Sequence, residues 1–373
     1  MIGRRSFLER ALAGAASAAL PWKASATSAG PMRHAIVIDG QGGIVDPYSD
    51  EHASAFSSKT ISENHASGIS ACSMTLALVG NEPDNFQKSI VGMAEYDKVI
   101  ANASNGLVKV LTAADIISAK REGRIGIIFN TQDTALVGTE LERIAVLKGL
   151  GVRVVQLTYN TRNLSGDGCL EPSNAGLSKL GYATIERIEH DKLLLDLSHA
   201  GQRTTADAMA SATRPPTISH TGCRALNDNP RNQWDAELKA CADKGGVVGV
   251  YWMPFLVPNG KPNGSDLVRH MEHVRRICGE DHVGIGTDGI IAKTVMDEKA
   301  RVDQRKFYED RAKRGIAAPG EGPDIFNIVA EWDEPRRFER LADGLARAGW
   351  RSEAIDKALG ANLLRLYREA WGA

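Results

Sequence analysis

Eight short apolar runs recur along this chain, and most of the segments between them show apolar residues at helical spacing. Short runs rich in Val, Ile and Leu are typical of buried strands. The predicted strands are Ala35–Asp39, Ile69–Leu76, Ile125–Phe129, Val152–Thr158, Leu194–His199, Pro216–His220, Gly246–Trp252 and His282–Asp288. Strands that alternate with helices indicate a βα repeat with a parallel sheet.

The predicted helices are Phe86–Ile117 with a break near Asn105, Glu140–Leu147, Gly176–His190, Thr204–Ala212, Trp234–Ala242, Asp266–Cys278, and the C-terminal Phe338–Ala348 and Arg351–Arg368. Eight strands are the number that a closed parallel barrel needs, so we predict an α/β fold of the (β/α)8, TIM-barrel type. An open doubly wound sheet is the alternative, but no GxGxxG motif follows a strand to support it. The segment Arg314–Pro323 is predicted to be a surface excursion.

Three of the predicted strands end in residues that carry chemistry: His199, His220 and Asp288. The carboxyl ends of parallel strands meet on one face of a barrel, where such folds keep their active sites. We therefore expect these side chains to gather at one site. The alternative is that they are three unrelated buried residues.

The first 29 residues resemble an export signal more than a domain. Arg4 and Arg5 form a twin-arginine motif, and an apolar run over residues 11–20 and small-residue cleavage sites follow. The expected partner is the Tat export machinery, and the expected location is the periplasm or the exterior of a bacterium. The alternative is a basic tail with an Ala-rich helix. The run is too short for a stable membrane span.

Residues 30–373 form a single predicted barrel domain. Hydrophobic residues make up 43% of the chain and charged residues 24%, which is enough for a sizeable core. A formal net charge of -1 gives no reason to expect nucleic-acid binding. The five cysteines show no CxxC spacing, and their pairing is left open, as is a homodimer.

Several separated motifs resemble one known family. They are Asp196-Leu-Ser-His-Ala-Gly201, Thr217-Ile-Ser-His220, Pro230-Arg-Asn232, Gly284-Ile-Gly-Thr-Asp288 and Gly360-Ala-Asn-Leu-Leu-Arg365. In this order they are similar to the membrane (renal-type) dipeptidases, metallopeptidase family M19 of the amidohydrolase superfamily. The resemblance implies a (β/α)8 barrel with two zinc ions that hydrolyses dipeptides and sometimes β-lactams or acyl amino acids.

The resemblance also implies roles for individual residues. It makes His199 and His220 ligands of one zinc ion, and Asp288 the acid/base that takes a proton from the metal-bound water. It makes Arg231 the residue that binds the substrate carboxylate, a role that suits the bidentate guanidinium. Each also has an ordinary structural interpretation: buried hydrogen-bonded histidines, a loop aspartate and a solvated arginine.

The sequence departs from the family pattern at the other metal ion. The family's first strand ends Asp-Gly-His-x-Asp, whereas this chain reads Asp39-Gly-Gln-Gly-Gly43. Gln132 stands where the bridging glutamate is expected, and Tyr159 stands where a substrate-binding histidine is expected. We therefore predict one zinc ion or none, held by His199 and His220 with weak help from Gln132 or Asp288.

Two further carboxylates are candidates for the missing ligands. Asp39 and Asp46 lie at and just after the end of the first predicted strand. A strand-end aspartate beside a glycine is at least as well suited to capping a turn.

Three functional hypotheses follow from the sequence. The first is an exported metal-dependent hydrolase of dipeptides or related small amides. The second is a barrel enzyme of another class, such as an epimerase, a lyase or a metabolite-tailoring enzyme, that uses Asp288 or Tyr159 for proton transfer. The third is a non-catalytic protein that binds peptides or amino acids.

Overall fold

A computed structural model describes residues 35–49 and 53–372 of the chain. The chain separates into two units, Met1–Arg33 and His34–Ala373, and the fold described below belongs to the second. The predicted export signal at residues 1–29 lies outside the described residues. None of the helices described is long and apolar enough to cross a membrane.

The strands form one parallel sheet that closes on itself. They are β1 (Ile38–Gly42), β2 (Ala71–Thr75), β3 (Leu107–Lys109), β4 (Ile125–Thr131), β5 (Val152–Gln156), β6 (Leu194–Asp196), β7 (Thr217–Thr221), β8 (Val247–Val250) and β9 (Val283–Ile285). Their order is β1-β2-β4-β5-β6-β7-β8-β9, and β3 pairs with the first half of β4. The barrel closes where Gly43 N donates to Gly289 O (2.9 Å) and Ile291 N donates to Gly43 O (2.9 Å).

The helices surround this barrel. They are α1 (Ser58–Ala66), α2 (Asn85–Ala101), α3 (Ala113–Arg121), α4 (Glu142–Gly149), α5 (Lys179–His190), α6 (Gln202–Ser211), α7 (Asp235–Asp243), α8 (Gly264–Cys278), α9 (Glu298–Lys313), α10 (Arg337–Arg347), α11 (Ser352–Asp356) and α12 (Asn362–Trp371). A π-helical turn over Lys357–Ala361 joins the last two. Several helices begin at a capping side chain; for example, Asn263 Oδ1 accepts from Asp266 N (3.1 Å) at the start of α8.

The (β/α)8 prediction is confirmed, because all eight strands on the closed path come from the eight predicted apolar runs. Strand β4 shows why: each of its residues is buried, so its sequence is continuously apolar up to Phe129. The predicted helical segment over residues 86–117, with its break near Asn105, corresponds to α2 and α3, but the strand β3 that lies at the break was not predicted. This strand has only three residues, which is too short to show a period of its own.

The amino-terminal end of the barrel is filled by the C-terminal helix. Leu363, Leu366 and Tyr367 of α12 belong to one buried cluster with residues near the strand starts, including Ile38 and Val247. With this end packed by apolar side chains, the carboxyl end is the one left for chemistry.

Candidate active site

The carboxyl ends of the strands surround a cavity of about 650 Å³. Five of the predicted site residues line it: Gln132, Tyr159, His199, Arg231 and Asp288. The sixth, His220, is fully buried directly beside His199, with 2.9 Å between the two Nε2 atoms. The residues that we singled out from the strand ends therefore lie together.

The tautomer of His199 follows from its partner. Its Nδ1 lies 2.6 Å from Asn160 Oδ1, and the Nδ2 of the same amide donates to Ile316 O (2.7 Å). Because Oδ1 can only accept, Nδ1 of His199 carries the proton. The Nε2 lone pair of His199 therefore points into the site.

The tautomer of His220 follows in the same way. Its Nδ1 lies 2.8 Å from Ser219 Oγ, and this hydroxyl donates to Asp196. Ser219 Oγ therefore accepts from His220 Nδ1–H, and the second Nε2 lone pair also points into the site. Gly249 and Gly286 make this packing possible, because a Cβ atom at either position would lie within 2.0 Å of Ser219 O.

Two converging lone pairs require donors or a cation close by. Arg231 Nη2 lies 3.1 Å from His199 Nε2, and Gln132 Nε2 lies 3.4 Å from His220 Nε2. Burial and the charge of Arg231 lower the pKa of both imidazoles well below the usual range. Both rings are therefore neutral, which is the form that binds metal ions.

The chemistry of this pair fits one metal ion. Two imidazole nitrogens with fixed tautomers converge, and the Gln132 amide is beside them. Among the described residues, however, there is no group of three or more His, Cys, Asp or Glu side chains that could hold a metal. The donor set is thus weaker than an ordinary zinc site, which has about four ligands.

The end of β1 does not fit a second metal ion. Gln41 Nε2 donates to Thr75 Oγ1 (3.0 Å), and Gln41 Oε1 accepts from Asn130 Nδ2 (3.0 Å). Asn130 Oδ1 accepts from Thr75 Oγ1 (2.7 Å), and Asn130 Nδ2 also contacts Ser73 Oγ (2.8 Å). These neutral groups satisfy one another, and none of them brings the negative charge that a second dication requires.

Neither candidate replacement carboxylate lines the cavity, so that hypothesis was wrong. Asp39 is fully buried and accepts hydrogen bonds from Thr287 N (2.8 Å) and Thr287 Oγ1 (2.5 Å). Asp46 accepts from Ser57 and Thr60 at the start of α1. Both carboxylates act as acceptors for nearby backbone and hydroxyl donors, as turn-capping aspartates do.

Arg231 is a buried cation without an ion-pair partner in the described part of the chain. Only 2% of its surface is exposed, and its Nη1 donates to Ser198 O (2.8 Å). A solvated surface arginine, the alternative considered from sequence, is therefore excluded. A desolvated guanidinium that is not held in an ion pair is costly unless a ligand supplies the negative charge.

Asp288 lies in the cavity wall in a backbone conformation that is uncommon for aspartate. Its φ is 56°, and its N donates to Gln41 O (2.8 Å). Burial raises the pKa of its carboxyl to about 6, against the opposing charges of Arg231 and Arg311. A carboxyl with such a pKa exchanges protons near neutral pH, which suits a general acid or base.

Sequence reasoning missed a second arginine in the site. Arg311 is the only residue of α9 that is buried, and its Nη1 donates to Tyr159 Oη (2.9 Å). Its Nε and Nη2 form a two-point ion pair with Glu321 (2.6 and 2.8 Å). Tyr159 in turn stacks on His199, with ring centroids 4.2 Å apart. The segment predicted as a surface excursion therefore returns to the site through Glu321, and no local pattern in the sequence predicts this.

Together, the barrel and the site define a class of protein: a (β/α)8 barrel with two neutral imidazoles, a buried carboxyl group and a buried guanidinium at its carboxyl end. Residues 46–299 of the chain match the model of a protein family that is described as "Membrane dipeptidase (Peptidase family M19)". The chain belongs to this family, so it is a dipeptidase-like hydrolase, and dipeptidases of this family are metallopeptidases.

Individual relatives agree with this assignment. An uncharacterized protein in the pqqA 5' region of Klebsiella pneumoniae is 26% identical over 290 residues, 75% of this chain and 94% of that protein. Dipeptidase verJ of Clonostachys rogersoniana is 27% identical over 192 residues, 51% of this chain and 50% of that protein. The crystal structure of an amidohydrolase from Pseudomonas aeruginosa has a TM-score of 0.78 and 29% identity, and the match covers 92% of this chain and 98% of that one.

Proposed function

We propose that this protein is an exported, metal-dependent hydrolase of dipeptides or related small amides that carry a free carboxylate. The observation that carries the proposal is Arg231, a buried guanidinium that forms no ion pair with any described residue. It lies in one cavity with two neutral imidazoles and a carboxyl group with a raised pKa. A substrate carboxylate would supply the missing negative charge in a bidentate contact.

In this proposal His199, His220 and Gln132 hold one zinc ion. The ion would polarise the amide carbonyl and lower the pKa of a water molecule. Asn160 and Ser219 keep the two imidazoles in the tautomers that present Nε2. Such outer partners orient ligands and make them more basic.

The remaining roles belong to residues of the cavity wall. Arg231 fixes the carboxylate end of the substrate and so places the amide bond beside the imidazoles. Asp288 accepts a proton from the attacking water and returns it to the departing amine nitrogen. Tyr159 lies against the substrate with its hydroxyl oxygen already accepting from Arg311, which leaves its own proton available for a substrate oxygen.

The test compares paired substrates on protein purified after native export. The wild type should hydrolyse a dipeptide with a free carboxylate. Arg231→Lys should raise KM for it by about 10²-fold, because a point charge replaces the guanidinium fork. The same dipeptide with an amidated C-terminus is the matched control, and its slow hydrolysis should be almost unchanged by the substitution. Equal loss with both substrates would contradict the role of Arg231.

Elemental analysis of the same samples tests the metal. One equivalent of zinc in the wild type and none in His199→Ala is the expected result, with Asp288→Asn retaining the metal and losing about 10²-fold in kcat. Activity that survives His199→Ala would contradict the metal-hydrolase proposal.

One observation favours a second candidate function. Arg231 Nη2 lies at hydrogen-bond distance from the His199 lone pair that a metal would need. A barrel enzyme of another class, with Asp288 transferring protons without a metal, would use this arrangement directly. Protein that contains no metal and still turns over a substrate would support this second function over the first.

A further inference from the structure

The end of β1 has lost the family's metal ligands, yet it holds two of the strongest contacts to the loop that carries Asp288. Asp39 accepts from both Thr287 N and Thr287 Oγ1, at 2.8 and 2.5 Å. One residue further on, Asp288 N donates to Gln41 O (2.8 Å). The two residues on either side of the Thr287–Asp288 peptide bond are therefore both attached to β1.

The attachment matters because of the conformation of Asp288. A positive φ of 56° is uncommon for residues other than glycine, and it persists where neighbouring contacts enforce it. The loop immediately after β9 would otherwise relax to an ordinary conformation, and the side chain of Asp288 would then leave the cavity wall. The contacts that enforce this conformation come from Asp39 and Gln41.

Burying the carboxyl group of Asp39 where the barrel closes costs free energy, because the group loses its contact with water. Asp39 is 0% exposed, and the two residues before it, Val37 and Ile38, are apolar and buried. Its three hydrogen bonds, from Thr287 N, Thr287 Oγ1 and Gln41 N (3.2 Å), offset that cost, and two of them come from the residue next to Asp288. If this position only needed to be filled, an aliphatic side chain would be sufficient.

We propose that Asp39 and Thr287 are positioning residues that hold Asp288 in its reactive orientation. This inference rests on the proposed role of Asp288 as acid/base. It gives the end of β1 a function in this chain that does not involve metal binding.

The test uses Thr287→Val, which keeps the shape of the side chain and removes its hydroxyl, with the short bond to Asp39 and two longer contacts to Gly289 N (3.3 Å) and Gly289 O (3.4 Å). We expect kcat for the dipeptide to fall about 10-fold or more, because small misplacement of a reacting group is costly, while KM and metal content stay unchanged. Thr287→Ser keeps the hydroxyl and should restore most of kcat. Thr217→Val is the structural control: it loses a buried hydroxyl bond to Val247 O (2.8 Å) at the other end of the barrel and should leave kcat unchanged.

A double-mutant cycle then separates positioning from general damage. Thr287→Val should add no further loss of kcat in the Asp288→Asn background, because both changes act through one carboxyl group. Equal losses in both backgrounds, or a loss in kcat for Thr217→Val of the same size, would overturn the positioning role. Failure of the proposed function has a different signature: Asp288→Asn itself would then be as active as the wild type. In that case, hydrogen exchange at the amides of residues 286–291 measures directly how firmly the loop is held. If Thr287→Val does not exchange these amides faster than the wild type, the positioning role is overturned.

Discussion

At the scale of single residues, the carboxyl of Asp39 should control how stability depends on pH. Burial raises its pKa from 3.8 to about 7. Arg337 is the charged group that acts on it, while burial raises the pKa of the facing Cys72 and Tyr367, which therefore stay neutral. The unfolded chain releases this proton near pH 4, but the folded protein keeps it until about pH 7.

The sign of the effect follows directly. Between pH 4 and 7 the unfolded state binds fewer protons than the folded state at Asp39, so the free energy of unfolding falls as pH rises through this range, by at most about 4 kcal/mol. Asp39→Asn does not titrate and should lose this part of the slope. Urea unfolding of both proteins at pH 5 and pH 8 measures it, with Thr217→Val as a control of similar burial. Parallel slopes in wild type and Asp39→Asn would show that Asp39 titrates normally.

Three of the site residues that sequence reasoning found lie at or just after strand ends, whereas Arg231 was found only through the family resemblance. His199, His220 and Asp288 close apolar runs, so their position in a parallel barrel follows from the strand pattern. Arg311 and Asn160 were not found, because their partners lie 152 and 39 residues away in the chain and depend on tertiary packing. For Asp39, the capping alternative is the one that the structure supports, although the sequence does not reveal its partner Thr287.

At the scale of elements, β1 offers a test of why the second metal position is lost. Gln41 is held in a neutral network, and a Cβ atom at Gly43 would lie 3.7 Å from Ile290 Cγ2, which is ordinary contact. The barrel backbone therefore has room for a Cβ atom at position 43. The triple variant Gln41→His, Gly43→Asp, Gln132→Glu should raise metal content from one towards two equivalents, because it restores negative charge and imidazole donors.

Elemental analysis with the thermal midpoint measured in parallel checks this. Gln41→His alone is the control, since one added imidazole without a carboxylate should not bind a second ion. A folded triple variant that binds no additional metal would show that the network is not what excludes it.

Helix α9 has one buried side chain, and this side chain connects the helix to the site. Arg311 is the one buried residue of this helix, and it reaches Tyr159, which stacks on His199. Arg311→Leu should release α9 from the barrel and free the ring of Tyr159. We expect faster hydrogen exchange over residues 298–313 and a fall in kcat/KM of roughly 10-fold, since a ring that positions substrate loses its support.

The matched control lies on the same helix. Arg305 forms an exposed ion pair with Asp324, and Arg305→Leu should change neither measurement, because exposed pairs contribute little. If both variants behave alike, α9 is held by its surface contacts and not by Arg311.

The strands and helices were predicted correctly where their burial produces a pattern of apolar residues in the sequence. Strands buried on both faces gave continuous apolar runs, and all eight were recognised. Helix α9 was not predicted, because 15 of its 16 residues are not buried and its polar sequence shows no apolar stripe. The same absence of pattern concealed Glu321, which packs against this helix through Arg311.

At the scale of the whole molecule, the fold joins the two ends of the described chain. Ile38 of β1 packs with Tyr367 of α12, and Gly43 closes the barrel against Gly289. The proposed metal ligands are likewise dispersed, at residues 132, 199 and 220. Neither the barrel nor the site is complete until nearly the full chain has been made, so contacts of this kind favour folding as one unit.

Such a fold is compatible with export after folding. None of the five cysteines forms a disulfide bond in the described fold. All five cysteines carry free thiols, and Cys72, Cys223 and Cys241 are fully buried, where desolvation raises the pKa of each and keeps it unreactive.

The last prediction concerns the proposed export of the folded protein. In the proposed export route Arg4 and Arg5 act as a twin-arginine pair, and a pathway that carries folded proteins would allow the barrel to acquire the proposed metal before export. Replacing both by lysine should leave the full-length protein in the cytoplasm of the producing bacterium, still folded and with its metal. Arg10→Lys, outside the pair, is the control and should be exported as the wild type is. Cell fractionation with detection of the processed chain measures the outcome, and arrival of the double-lysine variant in the periplasm would exclude the twin-arginine route.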